Sequence, residues 1–407
     1  MRAAPKGMRL HIGIFGRRNC GKSSLINALA HREVSIISDQ PGTTTDPVDK
    51  IMEMLPIGPV VLIDTAGIDD IGELGNLRVE ATNKVLNRID VGIVMFTGED
   101  WGEPEELLVR ELTARKAAVI AVANKSDLES PPPSLVVDFG QRGIPLVLTS
   151  VRNNTGMNAL RRALVQSVPA DFLENPTILS DVVPPGETVI LVMPIDKETP
   201  RGRLILPQVQ TIRDLLDTGA VTVTVRDTEY VQALERLARP PYLVVTDSQA
   251  FEFVARKTPP DVLLTSFSIV YARMKGDLAA LAEGAEAIDL LQAGDRVLIS
   301  EHCTHHPIEQ DIGRVKLPNW ISERVGQPLI FEHARGHDFP TDLSKYQLVV
   351  QCGACTANRR EVLSRILACK SARVPITNYG MAIAFCHGIL DRVMRVFRPE
   401  EDKCPTA

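Results

Sequence analysis

At 407 residues, with 44% apolar and 24% charged side chains, the chain has the composition of a globular protein too long for one ordinary core. Its formal net charge of −6 argues against a dedicated nucleic-acid binder. The longest unbroken apolar run, Ala117–Ala123, falls well short of the ~20 residues of a membrane helix. Leu10–Phe15 leads straight into a glycine loop, so no signal peptide is read there and the expected compartment is the cytoplasm.

The first predicted strand, Leu10–Phe15, is followed by Gly16-Arg17-Arg18-Asn19-Cys20-Gly21-Lys22-Ser23-Ser24 and a helix through Ala30. Strand, glycine loop and helix form the setting of a phosphate site. Gly16 and Gly21 let successive N–H groups converge on an anion, and the helix opening at Lys22 presents its positive dipole end. The Lys22 ammonium reaches the outer phosphates, and Ser23 supplies a hydroxyl to the magnesium that bridges them. With Asn19, Gly21 and Ser24 these residues form the candidate phosphate contacts.

A polar segment, Ser38–Asp46, precedes a short strand at Lys50–Leu55; its Pro-Gly and threonine content is loop punctuation. Val60–Ile63 reads as a buried strand ending in Asp64-Thr65-Ala66-Gly67. Asp64 at that strand end can hold magnesium through water, and Gly67 lets a backbone N–H meet the terminal phosphate. The strand Ala117–Ala123 ends in Asn124-Lys125-Ser126-Asp127, where the Asp127 carboxylate can accept both guanine N1 and N2 protons. A site built on such desolvated pairing rejects adenine strongly. Ile144–Leu148 then ends at Thr149-Ser150, which places Ser150 at the base.

One phosphate loop, one Asp-x-x-Gly and one Asn-Lys-x-Asp, in that order and each closing a strand, resemble the translation-factor-like GTPases. The similarity is greatest to the TrmE–Era group and spans residues 1–165. It implies a doubly wound, mostly parallel sheet with GTP at the strands' carboxyl ends. It also implies Thr44 as the switch threonine on magnesium and the terminal phosphate, acting with Lys22, Asp64 and Gly67. Asn19 falls where potassium-dependent members carry an asparagine that helps hold K⁺. Ile68 replaces the glutamine that many GTPases use to orient water, which implies slow hydrolysis with K⁺ supplying charge.

Near residue 170 the pattern breaks at Val168-Pro169, Asn175-Pro176 and Pro184-Pro185-Gly186, a linker composition. Strands are expected at Thr188–Met193, Val221–Val225, Tyr242–Thr246 and Val262–Ser266, with helices at Gln208–Asp217, Glu229–Ala238 and Gln249–Ala255 between them. This small α/β unit shows no catalytic set, and a subunit-contact role fits it better. A third unit begins near Ser266, with a helix over Gly276–Gln292. The fold expected is therefore α/β throughout: a P-loop GTPase domain (1–170) and two smaller α/β domains (171–265 and 266–407).

Six of the seven cysteines follow residue 300. A strand at Arg296–Ser300 runs into Glu301-His302-Cys303-Thr304-His305-His306, and one at Gln347–Val350 runs into Gln351-Cys352-Gly353-Ala354-Cys355, ahead of a helix over Asn358–Ala368. Two strand ends thus bring three cysteines to one edge of one sheet. From spacing alone, a zinc site with Cys303 and His305 and an iron–sulfur cluster fit equally, and a redox dithiol fits less well. Cys369 and Cys386 read as core, and His333, His337 and His387 as structural or surface.

The combination is similar to the HydF family of FeFe-hydrogenase maturation GTPases over essentially the whole chain. Residues 301–307, 311–314 and 352–360 carry the likeness. It implies a 4Fe–4S cluster on Cys303, Cys352 and Cys355, a middle domain that forms a homodimer or higher homo-oligomer, and a scaffold and carrier role. The diiron subcluster would come from the radical-SAM maturases HydE and HydG and pass to apo FeFe-hydrogenase. The family often has histidine before Cys-x-x-Cys, where this chain has Gln351. The fourth iron is then left to His305, Glu309, water or an exogenous bridge. A ribosome- or RNA-associated GTPase with a zinc-binding C-terminal domain is the rival reading; the acidic charge and lack of a basic, aromatic-rich surface weigh against it.

Overall fold

The computed structural model describes residues 6–30, 48–65, 84–169, 172, 177–195, 204–302 and 311–398. The chain divides into two compact units, Met1–Asn175 and Pro176–Ala407.

The first unit is built on a six-stranded sheet. Its strands are β1 (Leu10–Gly16), β2 (Val48–Met54), β3 (Gly58–Asp64), β4 (Val91–Thr97), β5 (Ala118–Asn124) and β6 (Leu146–Leu148). They lie in the order β2-β3-β1-β4-β5-β6, with only the edge strand β2 antiparallel to its neighbour. The inner strands read as unbroken apolar runs because both faces are covered. Alternate residues serve the two sides. Ile12, Ile14, Val60 and Leu62 pack with Leu25, Ile26 and Leu29 of helix α1 (Lys22–Ala30). Phe15, Val61, Ile63 and Val94 pack with Leu108 and Leu112 of α2 (Glu103–Ala114). Helices α3 (Pro133–Arg142) and α4 (Met157–Gln166) complete the described part. This is the mostly parallel, doubly wound sheet expected from the motifs.

The second unit contains two four-stranded parallel sheets. One has the order β10-β9-β7-β8, from β7 (Thr188–Val192), β8 (Val221–Val225), β9 (Leu243–Thr246) and β10 (Leu263–Ser266). Helices α5 (Leu206–Asp217), α6 (Tyr230–Arg236) and α7 (Phe251–Lys257) alternate with its strands. The other has the order β12-β11-β13-β14, from β11 (Arg296–Glu301), β12 (Ile330–Arg335), β13 (Leu348–Gln351) and β14 (Ile376–Asn378). Both sheets feed one apolar core, in which Ile190, Val244 and Leu264 join Val297, Val349 and Ile376.

Helix α8 (Phe267–Lys275) follows β10 directly and is capped by the Ser266 hydroxyl. The single helix expected over Gly276–Gln292 is shorter: α9 covers Leu278–Glu286 and a 3₁₀ turn covers Ala287–Leu290. Asp277 starts it by accepting from the Ala280 N–H at 3.1 Å. Helices α10 (Leu317–Val325), α11 (Arg359–Ala372), α12 (Tyr379–Cys386) and α13 (Leu390–Met394) follow. The expected boundary between residues 265 and 266 lies inside β10. Among the described residues, no helix is long and apolar enough to cross a membrane.

Candidate functional sites

In the first unit, β1 ends at Gly16 and α1 opens at Lys22, so the loop between them sits at the carboxyl edge of the sheet. Asn19 takes a left-handed conformation at φ 59°, and Gly21 sits at φ 100°, where a side chain would be strained. Added Cβ substituents at Gly21 would also come within 2.4 Å of Asn124 Nδ2. The Lys22 ammonium donates to the carbonyl oxygens of Gly16 at 2.8 Å and Arg17 at 2.9 Å, which folds the loop around its Nζ. The Ser23 hydroxyl donates to Asp64 Oδ2 at 2.9 Å, so the two groups expected around magnesium are already adjacent. Thr65 Oγ1 donates to the Ile14 carbonyl at 2.7 Å and fixes the end of β3 against β1.

Asn124 joins the glycine loop to the segment after β6. It is buried at the end of β5 and donates from Nδ2 to the Cys20 carbonyl at 2.8 Å. Its Oδ1 accepts from Thr149 Oγ1 at 3.1 Å and from the Val151 N–H at 3.3 Å. Lys125 turns the chain at φ 57°, the Ser126 N–H donates to the Thr149 carbonyl at 3.0 Å, and Asp127 is left exposed. Ser150 is buried in a bridge to Thr155, and its hydroxyl accepts from the Asn153 N–H at 3.2 Å. Ser24 is exposed on α1. Thr44, Gly67 and Ile68 lie outside the described residues.

One contact here was not visible in the sequence. Arg17, the second residue of the loop, makes a two-pronged pair with Glu105 at 2.8 and 3.0 Å. Glu105 is fully buried and also accepts from the Gly102 N–H at 2.9 Å. A buried carboxylate needs such partners, and a planar guanidinium provides them in fixed geometry. The loop is thereby tied to the start of α2.

In the second unit, β11 and β13 are parallel neighbours with Ser300 opposite Gln351. Their ends therefore emerge side by side. The Cys352 N–H donates to the Ser300 carbonyl at 2.9 Å, and the His302 N–H donates to Cys352 Sγ at 3.2 Å. His302 Nδ1 lies 3.6 Å from the same sulfur, while its buried Nε2 has no hydrogen-bond partner. Burial, helped by the Arg365 charge, pushes the His302 pKa down to about 3, so the ring is neutral at pH 7. Cys352 and Cys355 are each partly buried. Ala354 between them is left-handed at φ 50°. The Asn358 side chain then caps α11 by accepting from the Glu361 N–H at 3.0 Å.

Two buried cations lie under this turn. Lys275 Nζ donates to the carbonyls of Ala354, Ala357 and Cys355. Burial pulls its pKa down to about 8 against the opposing pull of Cys355 and Cys352. Arg365 donates to Ser300 Oγ at 2.6 Å and pairs with Glu361 at 3.2 Å, and Glu361 in turn meets His337 Nδ1 at 2.9 Å. Cys303 and His305 lie outside the described residues; among the described ones, no three metal-ligating side chains converge. The remaining donors suit a soft metal. Two sulfurs share one turn, one of them already accepts an N–H, and two buried cations lie beneath it. Cys369 is fully buried in α11, and burial pushes the thiols of Cys369 and Cys386 up to about 12. His333 is exposed on β12, and His387 stacks edge-on against Trp320.

Comparison with known families follows this division. Residues 178–276 match the hydrogen maturase F dimerization domain, and residues 279–396 match the hydrogen maturase F tetramerization domain. Together they span more than half of the chain. A third model, described as 50S ribosome-binding GTPase, matches residues 11–125. The chain belongs to the hydrogen maturase F family.

This hydrogen maturase F chain thus has a GTPase domain followed by two domains named for self-association. Its first part is similar to the tRNA modification GTPase MnmE. The Desulfotalea psychrophila protein is 33% identical over 155 residues, 37% of this chain and 33% of that protein. The Bacillus subtilis protein is 34% identical over 172 residues, 40% of this chain and 36% of that protein. The chain therefore spans about a third of the length of these relatives. Among solved structures, the G domain of the Thermotoga maritima FeoB iron transporter aligns at 22% identity, covering 40% of this chain and 99% of that one, with a TM-score of 0.32. Aquifex aeolicus Era bound to GDP and aluminium fluoride aligns at 20% identity, covering 55% and 97%, with a TM-score of 0.33. The fold assignment of the hydrogen maturase F chain rests on its own strand order rather than on these scores.

Proposed function

We propose that the protein is a GTP-binding and GTP-hydrolysing scaffold that holds a 4Fe–4S cluster and delivers a diiron subcluster to apo FeFe-hydrogenase. The observation that carries this reading is the meeting of β11 and β13. It sets the segment leading to Cys303 against the Cys352–Cys355 turn and aims the His302 N–H at Cys352 Sγ. Cys303, Cys352 and Cys355 would hold the cluster, with His305 as a candidate fourth ligand. Three thiolates on four irons would leave one iron without a thiolate, with His305 or a more weakly held ligand there that a carrier could exchange.

In the GTPase domain, Lys22, Gly21, Ser24 and Asn19 would bind the phosphates, with K⁺ beside Asn19. Ser23, Asp64 and Thr44 would hold magnesium, and Gly67 would meet the terminal phosphate. Asn124, Lys125, Asp127 and Ser150 would form the guanine pocket. Nucleotide state would alter partner affinity through loop order rather than perform cluster chemistry. The partners under this reading are the maturases HydE and HydG, the hydrogenase and further copies of this chain, in the cytoplasm.

Anaerobically purified protein should show a reducible iron–sulfur signal by absorption and EPR. Cys303→Ser, Cys352→Ser and Cys355→Ser should each remove most of the iron and abolish hydrogenase activation while GTP turnover persists. Serine replaces a soft thiolate with a hard, poorly ionised hydroxyl. Iron retained after all three changes, or a colourless zinc protein from the outset, would defeat the proposal.

A further inference from the structure

Lys275 ends α8 and is only 3% exposed. An ammonium removed from water must find compensating groups. Its three hydrogen bonds go to carbonyl oxygens: Ala357 at 2.8 Å, Ala354 at 2.9 Å and Cys355 at 3.4 Å. None goes to a carboxylate. The face of Tyr271 lies 5.1 Å away and adds a weak cation–π attraction. Arg365, the second cation described under the turn, has Glu361 as its counter-charge. Among the described residues Lys275 makes no such ion pair, and Glu361 acts on it only at longer range.

Its position sharpens the mismatch. Ala357 immediately precedes Asn358, the cap of α11, so the ammonium stands at the positive end of a helix dipole. Helix N-termini favour anions, and a cation there is disfavoured unless negative charge stands nearby. Glu361 in the first turn of α11 is one such charge, already paired with Arg365 and His337; the thiolates of a cluster bound at Cys352 and Cys355 would supply the rest. The turn also needs holding, because Ala354 adopts φ 50°, a conformation that persists in L-residues only when the surroundings impose it.

We propose that Lys275 is a positioning residue for the cysteine turn: its ammonium clamps residues 354–357 and serves as the counter-charge of the thiolate-bound cluster. This rests on the cluster reading above. The clamp acts from an earlier helix, across 79 to 82 positions of sequence.

Lys275→Met keeps the stem and removes charge and donors; Lys275→Gln keeps two N–H donors and removes the charge. In the metal-free full-length chain, hydrogen exchange of the peptide spanning residues 352–358 should quicken at least tenfold in Lys275→Met and less in Lys275→Gln, with β1 and β5 unchanged. After reconstitution with Fe²⁺ and sulfide, both variants should lose iron to a chelator at least tenfold faster than the parent. The cluster in freshly reconstituted Lys275→Gln should also be harder to reduce, with its potential about 59 mV more negative, a tenfold change for one electron. A purely structural lysine would leave that potential unmoved, which would remove the counter-charge role.

Parent-like exchange and iron release in folded Lys275→Gln would overturn the clamp, including the case where Lys275→Met does not fold. Parent protein that takes up no iron would defeat the cluster reading instead, and the exchange measurement would still judge the clamp.

Discussion

Asp127 stands exposed after the Lys125 turn, whereas Asn124 three residues earlier is buried and tied to Cys20, Thr149 and Val151. Under the proposed guanine pocket, Asn124 would shape the site and Asp127 would read the base edge. Asp127→Asn should therefore shift preference from GTP toward xanthosine triphosphate, by tenfold or more in competitive binding, because an amide suits the altered base edge. Unchanged GTP preference would remove Asp127 from the pocket. Asn19, left-handed and exposed on the phosphate loop, motivates the monovalent-ion reading. GTP turnover should be several-fold faster in K⁺ than in Na⁺ at equal ionic strength, and equal rates would dismiss it. The motif segments were legible as strand ends, with Gly16 closing β1, Asp64 closing β3 and Asn124 closing β5. Arg17 with Glu105, and Lys275 with the cysteine turn, were not, since no local pattern announces partners 79 or more positions apart.

At the level of elements, the buried parallel strands were easiest to read, being short apolar runs bounded by turn residues. The expected Leu10–Phe15 falls one residue short of β1, which is buried throughout. β12 escaped because it is a partly exposed edge strand of mixed character. Its Glu332 accepts from Lys345 Nζ at 2.8 Å and the Tyr346 hydroxyl at 2.7 Å. β14 has only three residues. Helices α8 and α12 are buried on nearly every side, so neither shows the amphipathic stripe that marks a surface helix. Close packing also explains Gly284 in α9. A Cβ there would lie 1.9 Å from the Ile376 carbonyl oxygen in β14, while Thr377 Oγ1 donates to the Leu281 carbonyl at 2.7 Å from the same strand. Gly284→Ala gains up to about 1 kcal/mol of helix propensity. It must nevertheless push α9 off a backbone atom, an overpacking cost of about 1–3 kcal/mol or more. Net destabilisation should appear in urea unfolding monitored by circular dichroism, and a stabilised variant would contradict the packing.

For the whole molecule, the sequence pattern separates the middle and last segments, and the family models likewise meet between residues 276 and 279. The packing runs across that junction. Ile269 and Ala272 of α8 sit in the same core as Val244 and Leu264 on one side and Val349, Ile376 and Met381 on the other. Arg392, near the end of the described chain, donates to the carbonyls of Ala255 at 2.8 Å and Thr258 at 2.9 Å, beside α7. A fragment of residues 176–407 retains every one of these contacts; a fragment of 277–407 loses α8, Lys275 and the apolar face that α8 covers. The longer fragment should unfold in one cooperative urea transition and take up iron on reconstitution. The shorter one should show a broad, non-cooperative transition and bind apolar dye, because burial on this scale is lost without a substitute. If 277–407 unfolds cooperatively and holds iron as well as 176–407 does, the cysteine turn is self-sufficient, and the shared core is no part of what keeps it in shape.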